Sequence, residues 1–259
     1  MAIFLLVPGA WHGAWCWESV TTRLEKAGHS VLTPDLDDVP PGANPLPLWA
    51  RQIATLAHAA PEPVILVGHS RGGLVISEAA ALAPQAIRQL VYLTAFLLPA
   101  GQNMQSTFTR PEAGGEPDYL RPARGRCLTV AAEATMSRFY PLADPETAKQ
   151  AAARLHPEPL GTFSAAATVT PAQLGRVPRA YIECTQDRVV PLALQRVMQT
   201  ALPCAPVLSL PADHSPFFSM PEKLAETLAA LAPAPATAAP TPSPHSPARR
   251  PGAAGECRR

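Results

Sequence analysis

The sequence has few cysteines, almost no net charge and no long hydrophobic run, and each shortage argues against a class of protein. Its five cysteines form no CxxC pair and have no histidine partners at zinc-site spacing, which argues against a disulfide framework and for a reducing compartment. The formal net charge is only +1, so composition gives no reason to expect nucleic acid or an anionic membrane as a partner. No stretch approaches the roughly 20 apolar residues of a membrane-spanning helix.

The first seven residues are apolar, but they do not have the pattern of a secretion signal. They lack a basic segment, and Pro8-Gly9 closes the run without a cleavage-type site. We therefore expect a cytoplasmic protein with no membrane partner.

The composition predicts one folded domain followed by a tail. The chain has 259 residues, of which 47% are hydrophobic, which is ample for one large core. Residues 232–259 hold seven prolines, four arginines and one glutamate, so we expect a disordered tail after a domain that spans residues 1–231. The oligomeric state cannot be inferred from these patterns.

Short apolar runs alternate with longer amphipathic ones along the domain. The apolar runs predict strands at residues 3–7, 30–36, 63–67, 89–94, 179–185 and 206–210. The amphipathic runs predict helices at residues 15–27, 46–59, 71–82, 192–201 and 221–231. This alternation predicts an α/β fold with a six-stranded, mostly parallel sheet flanked by helices, whose ligands bind beyond the carboxyl ends of the strands.

Residues 97–177 interrupt the alternation with no clear strand. Positions 102–126 are rich in Gly, Pro and Arg, and Asp144-Pro145-Glu146 has the pattern of a helix start, with the helix expected to end near residue 155. The segment is too long for a simple loop, so we predict a mostly helical cap inserted after the fourth strand.

The third strand leads into Gly68-His69-Ser70-Arg71-Gly72, which matches the G-x-S-x-G pattern of a nucleophilic serine. Such a turn between a strand and a helix needs glycines at both ends, because a Cβ there would collide with a neighbouring element. This context favours Ser70 as nucleophile over the alternative that it only caps the helix.

Serine needs a base, and His214 is the best placed of seven histidines. It follows the last predicted strand, as the chain order serine, acid, histidine requires. His69 adjoins the nucleophile, but such a turn directs its side chain away, so we interpret it as a packing or solvent-contacting residue.

The acid that orients this base is expected after the penultimate strand, where Asp187 stands. Asp213 is the competing candidate, but its adjacency to His214 makes a side-chain hydrogen bond awkward, and it suits a turn. Glu183 falls inside a strand and Asp35 follows the second strand, so both are less suitable.

An oxyanion intermediate needs two backbone N–H donors. We expect one from Arg71, directly after the nucleophile. The second should come from the loop after the first strand, where we choose Ala10.

With these residues in place, the chain resembles the branch of the α/β-hydrolases that contains plant methylesterases and hydroxynitrile lyases, with pyrethroid-type bacterial esterases as relatives. The stretches that carry the resemblance are VPGAWHGAWCWESV, GHSRGG, VYLTAF, YIECTQDRVVP and LPADHSPFF. The resemblance implies a six-stranded sheet, a helical cap, no cofactor or metal, and the same Ser70, Asp187 and His214.

Two departures from the family pattern bear on function. Pro8 stands where many members have a histidine with a mainly structural role. The lyases have threonine at the position of Gly9 and lysine at the position of Ser215, and the missing cation favours ester cleavage over C–C cleavage.

We therefore expect a carboxylesterase-like enzyme acting on a small-molecule, hydrophobic ester of small to medium size. Aromatic residues expected around its pocket are Trp11, Phe96, Phe108, Phe139, Tyr140, Phe163 and Phe217. The alternatives are a lyase acting on cyanohydrins and a ligand-binding protein that has lost turnover on a hydrolase scaffold.

Overall fold

The computed structural model describes residues 1–115 and 117–232, so the predicted tail lies outside the described residues apart from residue 232. The strands are β1 (Ile3–Val7), β2 (Ser30–Leu32), β3 (Val64–His69), β4 (Ile87–Leu93), β5 (Leu120–Ala123), β6 (Cys127–Val130), β7 (Glu158–Pro159), β8 (Arg179–Cys184) and β9 (Val207–Leu210). The helices are α1 (Glu18–Lys26), α2 (Leu46–Ala59), α3 (Gly72–Leu82), α4 (Met104–Phe108), α5 (Ala132–Phe139), α6 (Pro145–Ala153), α7 (Gly161–Ser164), α8 (Pro171–Leu174), α9 (Leu192–Ala201), α10 (Pro216–Ser219) and α11 (Pro221–Leu231).

Six strands form one parallel sheet in the order β2-β1-β3-β4-β8-β9. The predicted α/β fold with a six-stranded sheet is therefore confirmed. The second strand is shorter than predicted and ends at Leu32 rather than residue 36, because the chain leaves the sheet for the loop that leads to α2.

Both faces of the sheet are covered, which explains why β1 and residues 64–67 of β3 are apolar on every residue. In β1, Phe4 and Leu6 pack into the hydrophobic cluster that includes residues of α1 and α11. Leu5 and Val7 point to the opposite face and join the cluster formed with α2, α3 and α9. The side-chain alternation of a strand thus supplies both halves of the core.

The parallel register brings five strand ends to one edge of the sheet. Val7 lies opposite Gly68, Leu93 opposite Ile182, and Cys184 opposite Leu210. The loops that carry the predicted site residues all leave the sheet at this carboxyl edge.

Residues 97–177, the predicted cap, contain helices α4 to α8 and also a small antiparallel sheet in the order β5-β6-β7. The sequence showed no clear strand in this segment, so these three strands were missed. Its strands are two to four residues long and partly exposed, so they have no apolar run of the kind that marked the main sheet. Helix α6 begins as predicted, with Asp144 accepting a hydrogen bond from Thr147 N–H.

In the part of the chain that the structure describes, no helix combines the length and apolar character needed to cross a bilayer.

The loop after β8 is held by Gln195, a fully buried residue of α9. Its side-chain oxygen accepts a hydrogen bond from Cys184 N–H (3.1 Å), and its amide donates to the carbonyls of Cys184 (3.0 Å) and Val190 (2.8 Å). Both ends of the segment that contains Asp187 are therefore fixed by one side chain.

Replacing Gln195 with Met should lower the free energy of unfolding by roughly 3 kcal/mol, because three buried backbone groups each lose one hydrogen bond. Urea unfolding measures the change. Gln150→Met is the matched control, since Gln150 is exposed on α6 and bonds only Glu146, and it should change stability by less than about 0.5 kcal/mol. Equal stability of the two variants would contradict this account of Gln195.

Candidate active site

Ser70 lies at the tight turn between β3 and α3, and its backbone has a φ of 51°. A Cβ added at Gly68 would lie 2.7 Å from Gly72 O, and one at Gly72 would lie 2.8 Å from Val7 O. Only glycine permits these two approaches, so the turn and helix α3 can pack directly against β1. The sequence motif predicted that a Cβ at either glycine would collide with a neighbouring element, and these distances agree with that prediction.

Left-handed backbone conformations gather at this edge of the sheet. Besides Ser70, Trp11 (φ 63°) follows β1 and Thr94 (φ 38°) follows β4. For residues other than glycine this region costs on the order of 1–3 kcal/mol each, so the surrounding contacts must hold it. Strain of this kind typically marks a functional site.

His214 and Asp187 meet in a buried contact, with His214 Nδ1 2.7 Å from Asp187 Oδ2. His214 follows β9 and Asp187 follows β8, so neighbouring strands deliver the two side chains to one place. Because a carboxylate only accepts, Nδ1 carries the proton and Nε2 is left as the acceptor on the other side of the ring.

Asp187 accepts three further hydrogen bonds. Oδ1 receives Val189 N–H (2.6 Å) and Val190 N–H (2.8 Å), while Oδ2 also receives the Thr94 hydroxyl (2.5 Å). Four donors therefore fix the orientation of the carboxylate. The role of Thr94 was missed in the sequence, although a polar residue at the carboxyl end of a buried strand was a signal available there.

Ser70 and His214 are both almost enclosed, at 4% and 1% exposure. Among the hydrogen bonds of the described residues there is none between Ser70 Oγ and His214 Nε2. In enzymes without bound substrate such a contact is often long and tightens only in the reacting complex.

His69 is fully buried, and its Nε2–H donates to the carbonyl of His214 at 2.8 Å. The ring also lies edge-on to Phe217, with the centroids 5.0 Å apart. Burial lowers the pKa of His69 well below its ordinary value, so the ring stays neutral. The interpretation as a packing residue agrees with this position, and the contact adds support to the backbone of His214.

Asp213 is fully buried, and its carboxylate is bonded to groups other than the His214 ring. Its carboxylate accepts hydrogen bonds from Ser215 N–H (3.0 Å), the Ser219 hydroxyl (2.8 Å) and Leu142 N–H of the cap (3.0 Å). Burial raises the pKa of this carboxyl group. Asp213 thus shapes the turn, as expected, and also ties the turn to the cap.

The two less suitable acids have other partners. Glu183 accepts from Arg196 (3.2 Å) and from the Ser209 hydroxyl (3.0 Å), and Asp35 accepts from Ala14 N–H (2.7 Å). Neither is bonded to His214.

The two predicted oxyanion donors, Ala10 N–H and Arg71 N–H, are buried and donate no hydrogen bond within the described part of the chain. The loop of Ala10 runs close to Ser70, since a Cβ added at Gly9 would lie 2.9 Å from Ser70 Cβ. Two unused backbone donors therefore flank the serine.

The Arg71 side chain is also buried, and its role was missed in the sequence. Arg71 Nη2 donates to Gly9 O at 2.9 Å, Nε lies 3.2 Å from Glu158 Oε1, and the guanidinium lies 4.4 Å from the ring centroid of Trp49. Glu158 is a cap residue on β7. No local pattern marked it, although an arginine between an apolar strand and an apolar helix requires some buried acceptor.

His12 lies beside the same loop and is neutral, because burial lowers its pKa to about 3. Its Nδ1–H donates to the carbonyl of Ala10 (2.9 Å), and its Nε2 accepts from the Tyr140 hydroxyl (2.8 Å). Tyr140, one of the predicted pocket residues, thereby supports the loop through His12.

The predicted pocket aromatics do not all lie in one place. Some line a cavity, and others lie between that cavity and His214. Phe108 and Phe163 line a cavity of about 440 Å³ whose lining residues all belong to the segment 97–177, and it reaches the site through the contact of Trp11 with Phe163. Trp11 contacts Phe163 on one side and Phe139 on the other, and Phe139 lies edge-on to His214.

The remaining two aromatics lie farther from this cavity. Phe96 packs edge-on against Phe108, with centroids 5.6 Å apart. Phe217 is fully buried between Trp17 and His69 in the cluster on the α1 side of the sheet.

Apolar side chains dominate the cavity wall. The lining residues are Gln105, Phe108, Pro117, Leu120, Leu128, Leu160, Phe163 and Ser164. In residues 1–115 and 117–232, no group of three or more His, Cys, Asp or Glu side chains could hold a metal ion.

Comparison with known proteins identifies the family of the chain. The sequence profile of the alpha/beta hydrolase family matches residues 4–227. The chain is 35% identical to a pyrethroid hydrolase of Sphingobium wenxiniae, over 97% of this chain and 95% of that protein. It is 32% identical to methylesterase 7 of Arabidopsis thaliana, over 88% of this chain and 95% of that protein.

Solved structures give the same result. The crystal structure of a pyrethroid hydrolase from Sphingobium faniae has a TM-score of 0.74 and 32% identity, covering 88% of this chain and 96% of that one. The chain therefore belongs to the alpha/beta hydrolase family and is a carboxylesterase-like enzyme.

Proposed function

We propose that the protein hydrolyses small to medium hydrophobic carboxylic esters through Ser70, His214 and Asp187, by way of an acyl-enzyme. The observation that carries the proposal is the 2.7 Å contact between His214 Nδ1 and Asp187 Oδ2. This contact lies at the same edge of the sheet as the strained turn of Ser70. Relatives with the names pyrethroid hydrolase and methylesterase support ester cleavage.

In the first step, His214 Nε2 takes the proton of Ser70 Oγ as this oxygen forms a bond to the ester carbonyl carbon. The carbonyl π electrons move onto oxygen and give a tetrahedral intermediate. Asp187 stabilises the imidazolium that forms and keeps Nε2 directed at the reacting atoms. When the intermediate collapses, the bond to the alcohol breaks and His214 returns the proton to the leaving oxygen.

In the second step, water attacks the acyl-enzyme while His214 takes a proton from it. The bond between the acyl carbon and Ser70 Oγ then breaks, and His214 reprotonates the serine. The products are the carboxylic acid and the free enzyme.

The N–H groups of Ala10 and Arg71 are proposed to bind the oxyanion in both steps. Neither has another acceptor in the described chain, so both are available without breaking a bond. Removal of one such donor typically costs about 3 kcal/mol of transition-state stabilisation.

The proposed substrate class is supported by the cavity within the cap. Its volume of about 440 Å³ and its leucine and phenylalanine walls suit an apolar acyl or alcohol group. Ser215 is fully buried beside His214 and supplies no cation for a departing cyanide, so cleavage of cyanohydrins is not part of the proposal.

Ser70→Ala and His214→Ala should each lower kcat for p-nitrophenyl butyrate by at least about 10⁴-fold, because nucleophile and base act as a unit. Ser70→Ala should also lose labelling by a fluorophosphonate probe. The control is Ser164→Ala, which changes a cavity serine and should keep activity within a few-fold. If wild-type Ser70 stays unlabelled while the chain is folded, the hypothesis of a ligand-binding protein replaces this one.

Asp187→Asn should reduce kcat by about 10³- to 10⁴-fold, because the amide favours the wrong histidine tautomer. Asp213→Asn should change kcat by less than about five-fold, since its oxygens serve Ser215, Ser219 and Leu142 rather than His214. Steady-state kinetics on the two purified variants distinguishes the carboxylates. Comparable losses of kcat would mean that the choice of Asp187 is wrong.

Leu160→Trp should narrow the cavity and lower kcat/KM for p-nitrophenyl hexanoate about ten-fold relative to the acetate. Leu142→Trp is the matched control, because Leu142 is an equally exposed cap leucine that does not line the cavity. A chain-length series on both variants provides the measurement. An unchanged hexanoate-to-acetate ratio in Leu160→Trp would remove the cavity from the proposed substrate site.

A further inference from the structure

We infer that the side chains of Arg71 and Glu158 act together as positioning residues that aim the Ala10 N–H at the oxyanion. This inference rests on the proposed function, since it concerns the donor that the proposed reaction uses. Arg71 then serves twice, with its backbone N–H as one donor and its side chain as the support of the other.

A single peptide group connects the Arg71 side chain to the oxyanion donor. Gly9 C=O and Ala10 N–H belong to the same planar trans peptide, so they point in opposite directions. Arg71 Nη2 binds Gly9 O at 2.9 Å. Fixing the carbonyl on the guanidinium therefore turns the Ala10 N–H away from it and fixes the direction of the donor.

The next peptide group is held from the cap. Trp11 N–H donates to Glu158 Oε2 at 3.2 Å, while the carbonyl of the same peptide, that of Ala10, accepts from His12. Trp11 C=O accepts from His156 N–H at 3.1 Å. These contacts hold Trp11 in its left-handed conformation, which a bulky side chain adopts only when its surroundings impose it.

Glu158 contacts both the Arg71 side chain and the Trp11 peptide. Its Oε1 lies 3.2 Å from Arg71 Nε, and its Oε2 binds the Trp11 peptide, so one carboxylate contacts both the guanidinium and the loop. Both side chains are almost fully buried, at 3% and 1% exposure. We call this arrangement the Arg71–Glu158 clamp.

Stability alone does not account for such a pair. Removing two buried charges from water is costly, and apolar residues of similar volume often give equal or greater stability at such positions. What an apolar pair lacks is a donor for Gly9 O and an acceptor for Trp11 N–H. The clamp therefore has a directional role that packing cannot replace.

The chain contains a matched control for the clamp. Arg154 pairs with Glu18 at 3.1 Å and lies 4.6 Å from the ring centroid of Trp15, so it also joins cap to core and contacts a tryptophan. This pair is exposed, and its side-chain hydrogen bond goes to Glu18 rather than to the loop of Ala10.

The test compares the full chain carrying Arg71→Met with Glu158→Met against the chain carrying Arg154→Met with Glu18→Met. The double replacement leaves neither buried charge unpaired, so the protein should fold. We expect the clamp variant to lose about 100-fold in kcat for p-nitrophenyl butyrate with KM within about three-fold, because a misdirected donor weakens only transition-state binding. The inhibition constant of an aryl trifluoromethyl ketone should rise by the same factor, and the control variant should match wild type in all three measurements.

A merely structural role gives a different result. In that case the clamp variant loses thermal stability while kcat of the folded enzyme and the ketone inhibition constant stay within about three-fold of wild type, which overturns the inference. The single variant Arg71→Lys, which keeps Glu158 and one donor within reach of Gly9 O, should have a kcat at least ten-fold higher than that of the clamp variant. Failure of this rescue would also overturn it.

A measurement without substrate separates this inference from the proposed function. Amide hydrogen exchange at Trp11 should accelerate at least ten-fold in the clamp variant and stay unchanged in the control. Unchanged exchange overturns the clamp even if Ser70→Ala abolishes esterase activity. Faster exchange in the clamp variant, together with a wild-type chain that hydrolyses no ester, leaves the clamp as a loop support and overturns both its oxyanion role and the proposed function.

Discussion

The carboxyl edge of the sheet is organised by the close approach of the Ser70 turn to its two neighbours. A Cβ at Gly72 would lie 2.8 Å from the backbone of β1, and one at Gly73 would lie 2.3 Å from Phe96 O, which follows β4. The carbonyl of Ser70 accepts hydrogen bonds from Gly73 N–H and Phe96 N–H. The turn therefore packs directly against β1 and against the segment that follows β4. The loops after these two strands carry Ala10 and Thr94, so their positions depend on this packing.

Much of this arrangement could be predicted from the sequence. The apolar runs that became β1, β3 and β4 are buried on both faces, so periodicity and the glycines around Ser70 identified them without tertiary information. Asp187 and His214 were chosen because each follows a strand near the end of the chain, and parallel topology alone brings such positions together. The contact between these two residues agrees with that reasoning.

The parts that could not be predicted depend on contacts distant in the sequence. Strand β5 contains Arg121 and Pro122 and is half exposed, so it has no local strand signal and is defined only by its pairing with β6. Glu158 is one of several acidic residues in the cap, and no property of the nearby sequence shows that Arg71, 87 positions earlier, needs its charge. Long-range pairs between oppositely charged residues are set by the folded geometry rather than by pattern.

The attachment of the cap to the core restricts how small molecules reach the buried serine. Polar links that cross that boundary include Glu158 to Arg71 and Trp11, His156 to Trp11, Tyr140 to His12, and Leu142 to Asp213. Swinging the cap outward as a rigid flap breaks these links together and leaves charged groups without partners. Entry of a small molecule to Ser70 by outward movement of the whole cap is therefore costly, and local side-chain movements that leave these links intact cost less.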